Sequence, residues 1–212
     1  MRIILASQSP RRIALLKQLG LEFEVQPSAV DETAVRGRTP RETAIEAARR
    51  KAEDVAQHAS DALIIAADTI VCRGRRIYGK PANEGEARKT LRELSGNMHR
   101  VITGLAINRS TPAAHSASAP EMALDAVETK VFFKRLSDQM IAEYLATGEP
   151  FDKAGAYGIQ GHGGELVERI EGCYFNVVGL PLPRLVEMLS SFIDTSTIRL
   201  PYPPFRTNGK TP

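Results

Sequence analysis

Several short stretches of this 212-residue chain carry side chains suited to holding and cleaving phosphate esters or anhydrides. Ser7-Gln8-Ser9-Pro10-Arg11-Arg12 joins two hydroxyls and two guanidiniums to a helix cap with proline in the first turn. Free N–H groups at such a helix start favour an anion, and a guanidinium can grip two of its oxygens. The same residues would also make a capped helix with surface arginines. Asp68 interrupts the apolar run Ala66-Ala67-Asp68-Thr69-Ile70-Val71, where an isolated charge would cost several kcal/mol, so it must be paired, hydrogen-bonded or metal-bound. Burial raises a carboxylate's basicity, as deprotonating water requires; the plainer alternative is an Asp capping a strand end. Asp31-Glu32 supplies hard oxygens that, with Asp68, could hold Mg²⁺ or Mn²⁺, or could simply form a solvated acidic turn. Lys51 and Lys80 would serve as point charges for a polyphosphate only in the company of the other groups.

Tyr157-Gly158-Ile159-Gln160-Gly161-His162-Gly163-Gly164 is not a dinucleotide fingerprint, because Leu166 stands where the third glycine is needed and the segment follows a loop. It reads as backbone bending closely round a ligand, with the Gln160 amide suited to a nucleobase edge, or else as a hairpin-like surface loop.

Other chemistries lack their residues. His58, His99, His115 and His162 have no zinc-hydrolase spacing, and neither a Gly-x-Ser-x-Gly elbow nor a Walker A loop is present. Cys72 and Cys173 match neither a disulfide framework nor a zinc knuckle and fit a reducing cytoplasm. With 28 Lys+Arg against 25 Asp+Glu, any anion site must be local, and neither nucleic acid nor a membrane surface is expected as a partner. The apolar stretches at residues 3–6 and 62–67 are too short for a signal h-region or a membrane span.

Positioning such groups requires strands that end beside helix starts. Residues 2–6 read as a strand feeding a helix that Gly20 stops, and residues 23–25 as a half-buried strand. Thr39-Pro40-Arg41-Glu42 is a capping box opening an alanine-rich helix to about Gln57. The run at 62–67 predicts a strand covered on both faces, followed by a hairpin to Tyr78 and a helix capped by Asn83. Further strands are expected over 101–107 and 126–133, flanking an Ala/Ser/Pro-rich excursion at 110–120. After a helix capped by Ser137, the pattern predicts the glycine-rich loop, two strands and a last helix over 181–192. These alternations imply a mixed sheet flanked by helices, one α/β domain over residues 1–194, and a loose proline-bearing tail over 195–212.

In order along the chain, Leu5-Ala6-Ser7 with Ser9-Pro10-Arg11-Arg12, Val30-Asp31-Glu32, Lys51-Ala52, Ala67-Asp68-Thr69 and Gly79-Lys80-Pro81 resemble the Maf family of nucleoside triphosphate pyrophosphatases. The later blocks are Leu94-Ser95-Gly96 with His99 and Thr103-Gly104, the run from Asp152 to Gly161, and Asn176-Val177-Val178-Gly179-Leu180-Pro181. The resemblance implies an elongated mixed sheet with two lobes around a cleft, similar to the inosine triphosphatase (Ham1-like) group. It also implies hydrolysis of a nucleoside triphosphate to the monophosphate and pyrophosphate with a divalent metal, Mg²⁺ or Mn²⁺. In that pattern Asp68 is the proton acceptor, Ser7, Arg12, Lys51 and Lys80 surround the triphosphate, and Glu32, with Asp31 as alternative, helps hold the metal. Arg11, Thr69 and Gln160 match the branch acting on dTTP and UTP; a branch acting on 7-methyl-GTP has an aromatic residue, glutamine and glutamate there. The family also carries an association with cell division, so a nucleotide-binding regulator is the rival expectation, and a homodimer is left open.

Overall fold

The computed structural model describes residues 1–110, 121–196 and 198. The excursion proper, 111–120, and nearly all of the tail lie outside the described residues. Strand β1 (Arg2–Leu5) feeds helix α1 (Pro10–Lys17), and the chain returns as β2 (Glu24–Val25). Helix α2 (Pro40–Ala56) leads to the 12-residue β3 (Ala62–Arg73), the short β4 (Arg76–Tyr78) and helix α3 (Glu84–Leu94). The long strands β5 (Met98–Ser110) and β6 (Glu121–Phe133) precede α4 (Asp138–Ala146), β7 (Val167–Glu171), α5 (Tyr174–Val178) and α6 (Leu182–Leu189).

Among the described residues, seven strands form one mixed sheet in the order β2-β1-β3-β5-β6-β7, with β4 also on β3. β1 runs parallel to β2 and β3, while the other pairings are antiparallel. Along one edge, β3 pairs with β1 through Ala62 to Ile65 and with β4 only from Val71 onward. Between these, no described strand pairs with this edge of β3 at residues 66–70, and it is here that Asp68 sits.

The periodicity of β3 explains its burial on both faces. Ile64 and Ala66 meet Ala48, Ala52 and Val55 of α2. Leu63, Ile65 and Ala67 face the opposite way, into a core built with Leu15 and Leu16 of α1 and Leu185 and Leu189 of α6. Farther along the same strands, Val71, Val101, Val131 and Phe133 form a second core with α3 and α4. The alanine face of α2 lets the helix lie close, and Gly104 of β5, the register partner of Asp68, completes the fit. A Cβ on Gly104 would stand 2.1 Å from the Ala44 carbonyl oxygen. Among the described residues no helix is long and apolar enough to cross a membrane.

The start signals of α2, α3 and α4 act as read apart from one change, whereas Ser9 before α1 makes no side-chain cap bond. The Thr39 hydroxyl accepts from Glu42 N–H at 3.2 Å, but the Glu42 carboxylate reaches Arg38 N–H instead of closing the box on Thr39. Strand β2 is confined to Glu24 and Val25, both exposed. Of the two strands expected after the glycine-rich loop, the second is the helical turn α5. The buried Asn176 amide donates to Val101 O and Thr129 Oγ1, each at 2.9 Å, and these tertiary bonds override the β-propensity of Tyr174 to Val178.

His99 is sealed in the second core, edge-on to Phe133 and Tyr157, with Nε2 and the Tyr157 hydroxyl 2.7 Å apart. Burial pushes its pKa down to about 4 from 6.5, because no buried partner compensates the imidazolium. The folded state therefore binds fewer protons than the unfolded chain between these values. The stability this residue contributes is complete above pH 6.5 and is lost as pH falls toward 4, a swing of about 3 kcal/mol. Urea unfolding at pH 7 and pH 4.5 should record that loss, and His99→Gln should flatten it; equal pH dependence in both proteins would contradict the assignment.

Candidate active site

The gap in the β3 edge opens into a cleft of about 350 Å³ lined by Ser7 to Arg12, Glu32, Lys51, Asp68, Thr69 and Lys80. Residues Asp152 to Ala154 and Tyr157 to Gln160 close its far side. Successive residues of a strand point to opposite faces, yet Asp68 and Thr69 both border this cleft because it wraps around an unpaired edge.

On the α2 face, Lys51 Nζ donates to Asp68 Oδ1 at 2.7 Å and is also paired with Glu32. The Lys51 and Asp68 side chains are only 5% and 9% exposed, so the two charges lie buried as a pair, with Glu32 a second counter-ion to Lys51. Oδ2 of Asp68 has no protein hydrogen bond among the described residues. Partial burial works to raise the Glu32 pKa, but Lys51, Lys80 and Arg12 outweigh it and hold the carboxyl below its usual value. Asp31 is spent locally: its carboxylate accepts from Thr33 N–H at 2.9 Å and the Thr33 hydroxyl at 2.7 Å, capping the turn that presents Glu32.

On the other face, Arg12 donates from Nε to Gly179 O at 2.9 Å, from Nη1 to Ser7 Oγ at 3.3 Å and from Nη2 to Thr69 Oγ1 at 3.1 Å. Two of its five N–H groups remain for another acceptor. Burial lowers its pKa, with Asp68 and Glu32 pulling the other way. The α1 N-terminus has no side-chain cap, so its first-turn amides are available beside Ser7 and Arg12. Arg11 crosses the cleft to Asp152 at 3.2 Å, and Lys80 and Gln160 are exposed on its wall.

The cleft thus gathers five cationic side chains, a carboxylate braced by one of them, and free helix-start amides. The family described as Maf-like protein matches residues 2–192. The chain belongs to this family. Among its Maf-like relatives, the dTTP/UTP pyrophosphatase of Pelotomaculum thermopropionicum is 48% identical over 190 residues, 90% of this chain and 96% of that protein. The dTTP/UTP pyrophosphatase of Gloeobacter violaceus is 45% identical over 193 residues, with 90% and 96% covered. The solved Ham1 protein of Staphylococcus aureus matches with a TM-score of 0.41 at 16% identity, covering 66% of this chain and 88% of that one.

Several residues of this Maf cleft escaped the assignment of roles from sequence. The Thr69 hydroxyl meets that of Thr103 at 2.9 Å, and Thr103 donates to Asn176 O at 3.0 Å, which ties α5 and Gly179 to the sheet behind Arg12. Asp152 and Lys153 border the cleft and pair with each other at 2.5 Å. Their signal was adjacent opposite charges directly before a glycine-rich run. Thr103 gave no signal beyond a hydroxyl in an apolar strand. Among the described residues, no group of three or more His, Cys, Asp or Glu side chains gathers where it could hold a metal ion.

Proposed function

We propose that this Maf-like protein hydrolyses dTTP and UTP to the nucleoside monophosphate and pyrophosphate. The observation carrying the reading is the buried Asp68 carboxylate, braced by Lys51 and facing a cleft of cations at a stretch of strand edge that no described strand covers. The names and the extended identity of the relatives support the substrate choice. In this reading Arg12, Ser7 and the α1 amides hold phosphate oxygens, Lys80 adds charge from the opposite wall, and Asp68 Oδ2 accepts the proton of the attacking water. The water oxygen bonds to phosphorus as the α–β anhydride bond breaks and pyrophosphate leaves. Positioning and charge neutralisation are most of what phosphoryl transfer needs. Arg11, Thr69 and Gln160 then select the pyrimidine base.

Glu32 and Asp68 are the residues that would hold Mg²⁺ or Mn²⁺, through the carboxylate oxygens that Lys51 leaves free, with water and substrate phosphates completing the shell. When bound, the metal would neutralise charge on those phosphates. Asp31 contributes by ordering the turn that presents Glu32.

Incubation with dTTP, UTP, CTP, GTP and 7-methyl-GTP in Mg²⁺ or Mn²⁺ tests the reading. Monophosphate and pyrophosphate should appear fastest from dTTP and UTP; release of orthophosphate and diphosphate, or nucleotide binding without turnover, would overturn it. Arg12→Ala should lower kcat/KM by about 10²–10³-fold through both terms, and Arg12→Lys should not restore it, because an ammonium cannot fork. Steady-state kinetics on both variants decides this.

A further inference from the structure

The glycine-rich segment bends round a carboxylate of its own chain. Glu149 opens the 3₁₀ turn Glu149–Asp152. Its Oε2 accepts from His162 N–H at 3.0 Å, and its Oε1 accepts from Gly163 N–H at 3.3 Å and from the Tyr144 hydroxyl at 3.1 Å. That hydroxyl in turn accepts from Gly158 N–H at 3.2 Å. Amides on both sides of Gln160 are therefore tied to one carboxylate, directly or through one hydroxyl. Glycine suits this path: Gly161 has φ +68°, a conformation L side chains rarely adopt, and a Cβ on Gly163 would lie 2.2 Å from Gly158 O and 2.7 Å from the Tyr144 hydroxyl. Glu149 is itself fixed, since its N–H donates to Thr147 Oγ1 at 3.2 Å and its carbonyl accepts from Lys153 Nζ at 2.7 Å.

We propose that Glu149 is a positioning residue for base selection, its carboxylate setting the path of residues 158–163 and so the placement of Gln160 on the cleft wall. The inference rests on the reading in which Gln160 meets the base. A run this rich in glycine has many conformations to lose, and hydrogen bonds to a charged acceptor are the strong ones. With the anchor in place the loop is arranged before substrate arrives. Asp68, Lys51 and Arg12 are held by α2, β3 and α1, whereas among the described residues the hydrogen bonds of Glu149 go to Tyr144, Thr147, Lys153, His162 and Gly163, so removing the anchor should weaken base contacts and leave the phosphate chemistry in place.

The full-length protein with Glu149→Ala, Glu149→Gln and Tyr144→Phe provides the test, with Glu165→Ala removing a nearby exposed charge as control. Glu149→Ala should raise KM for UTP about tenfold or more and shrink the UTP-over-CTP preference comparably, with kcat within about threefold. Glu149→Gln, keeping one acceptor oxygen, and Tyr144→Phe should fall between this and the wild type. Hydrogen exchange at residues 158–163 should quicken in Glu149→Ala, with the amides of β3 and β5 unchanged. An unaltered KM and substrate ranking, a parallel fall in kcat, or unchanged exchange in this loop would overturn the proposal; should Glu149→Ala not fold, the same outcomes in Glu149→Gln and Tyr144→Phe decide. If the wild-type protein releases no pyrophosphate from UTP, the function assigned above fails, while the exchange measurement still reports whether Glu149 holds the loop.

Discussion

Asp68→Asn is expected to lower kcat about 10³-fold while nucleotide affinity at saturating Mg²⁺ stays near that of the wild type. The substitution keeps the shape of the side chain and removes the charge proposed to accept the proton. Lys51 retains Glu32 as a counter-ion, so the cation is not stranded in the core. The groups proposed to bind phosphate, Arg12 above all, are anchored to Ser7, Thr69 and Gly179 and make no hydrogen bond to Asp68. Single-turnover kinetics beside equilibrium titration with UTP separates the two quantities. Turnover at the wild-type rate would remove Asp68 from the chemistry and with it the proposed mechanism.

Gly104→Ala should be among the most disruptive single-methyl changes in the molecule. The new Cβ would meet Ala44 O at 2.1 Å, Ala44 C at 2.3 Å and Ile45 N at 2.7 Å, all backbone atoms of α2 that no rotamer change can move aside. The helix must lift, opening its alanine face from Ile64 and Ala66. About 3 kcal/mol or more of destabilisation follows, roughly 6–12 °C in Tm for a chain of this size. Because the same helix carries Lys51, the protein that remains folded should also turn over more slowly, which simple destabilisation at assay temperature would not produce. Thermal unfolding and kinetics well below Tm test both halves; an unchanged Tm would mean that the helix is not seated as closely as described.

Much of this arrangement can be read from local pattern. The run before Asp68 predicts a doubly covered strand, and Thr39-Pro40 and Asn83 mark helix starts, because caps and periodicity are properties of neighbours in sequence. Strands β5 and β6 run longer than their apolar centres, since Arg100, Asn108 and Arg109 lie in paired positions whose ladder bonds polarity alone does not reveal. The bonds of Arg12 join residues 57 and 167 positions away, and no spacing rule encodes them. Adjacent carboxylates at 31 and 32 look equivalent in sequence, yet one is consumed by its own turn. The glycines at 158–164 do signal close backbone approach, but what is approached, Glu149, becomes visible only in three dimensions.

Strands β3, β5 and β6 run without interruption through both hydrophobic cores. Among the described residues these three strands pair continuously between the two cores, and swinging the cores apart would mean shearing a ladder of backbone hydrogen bonds. Admission of a nucleotide thus falls to rotamers and short turns around the rim, so bound and empty forms should superpose closely over the sheet.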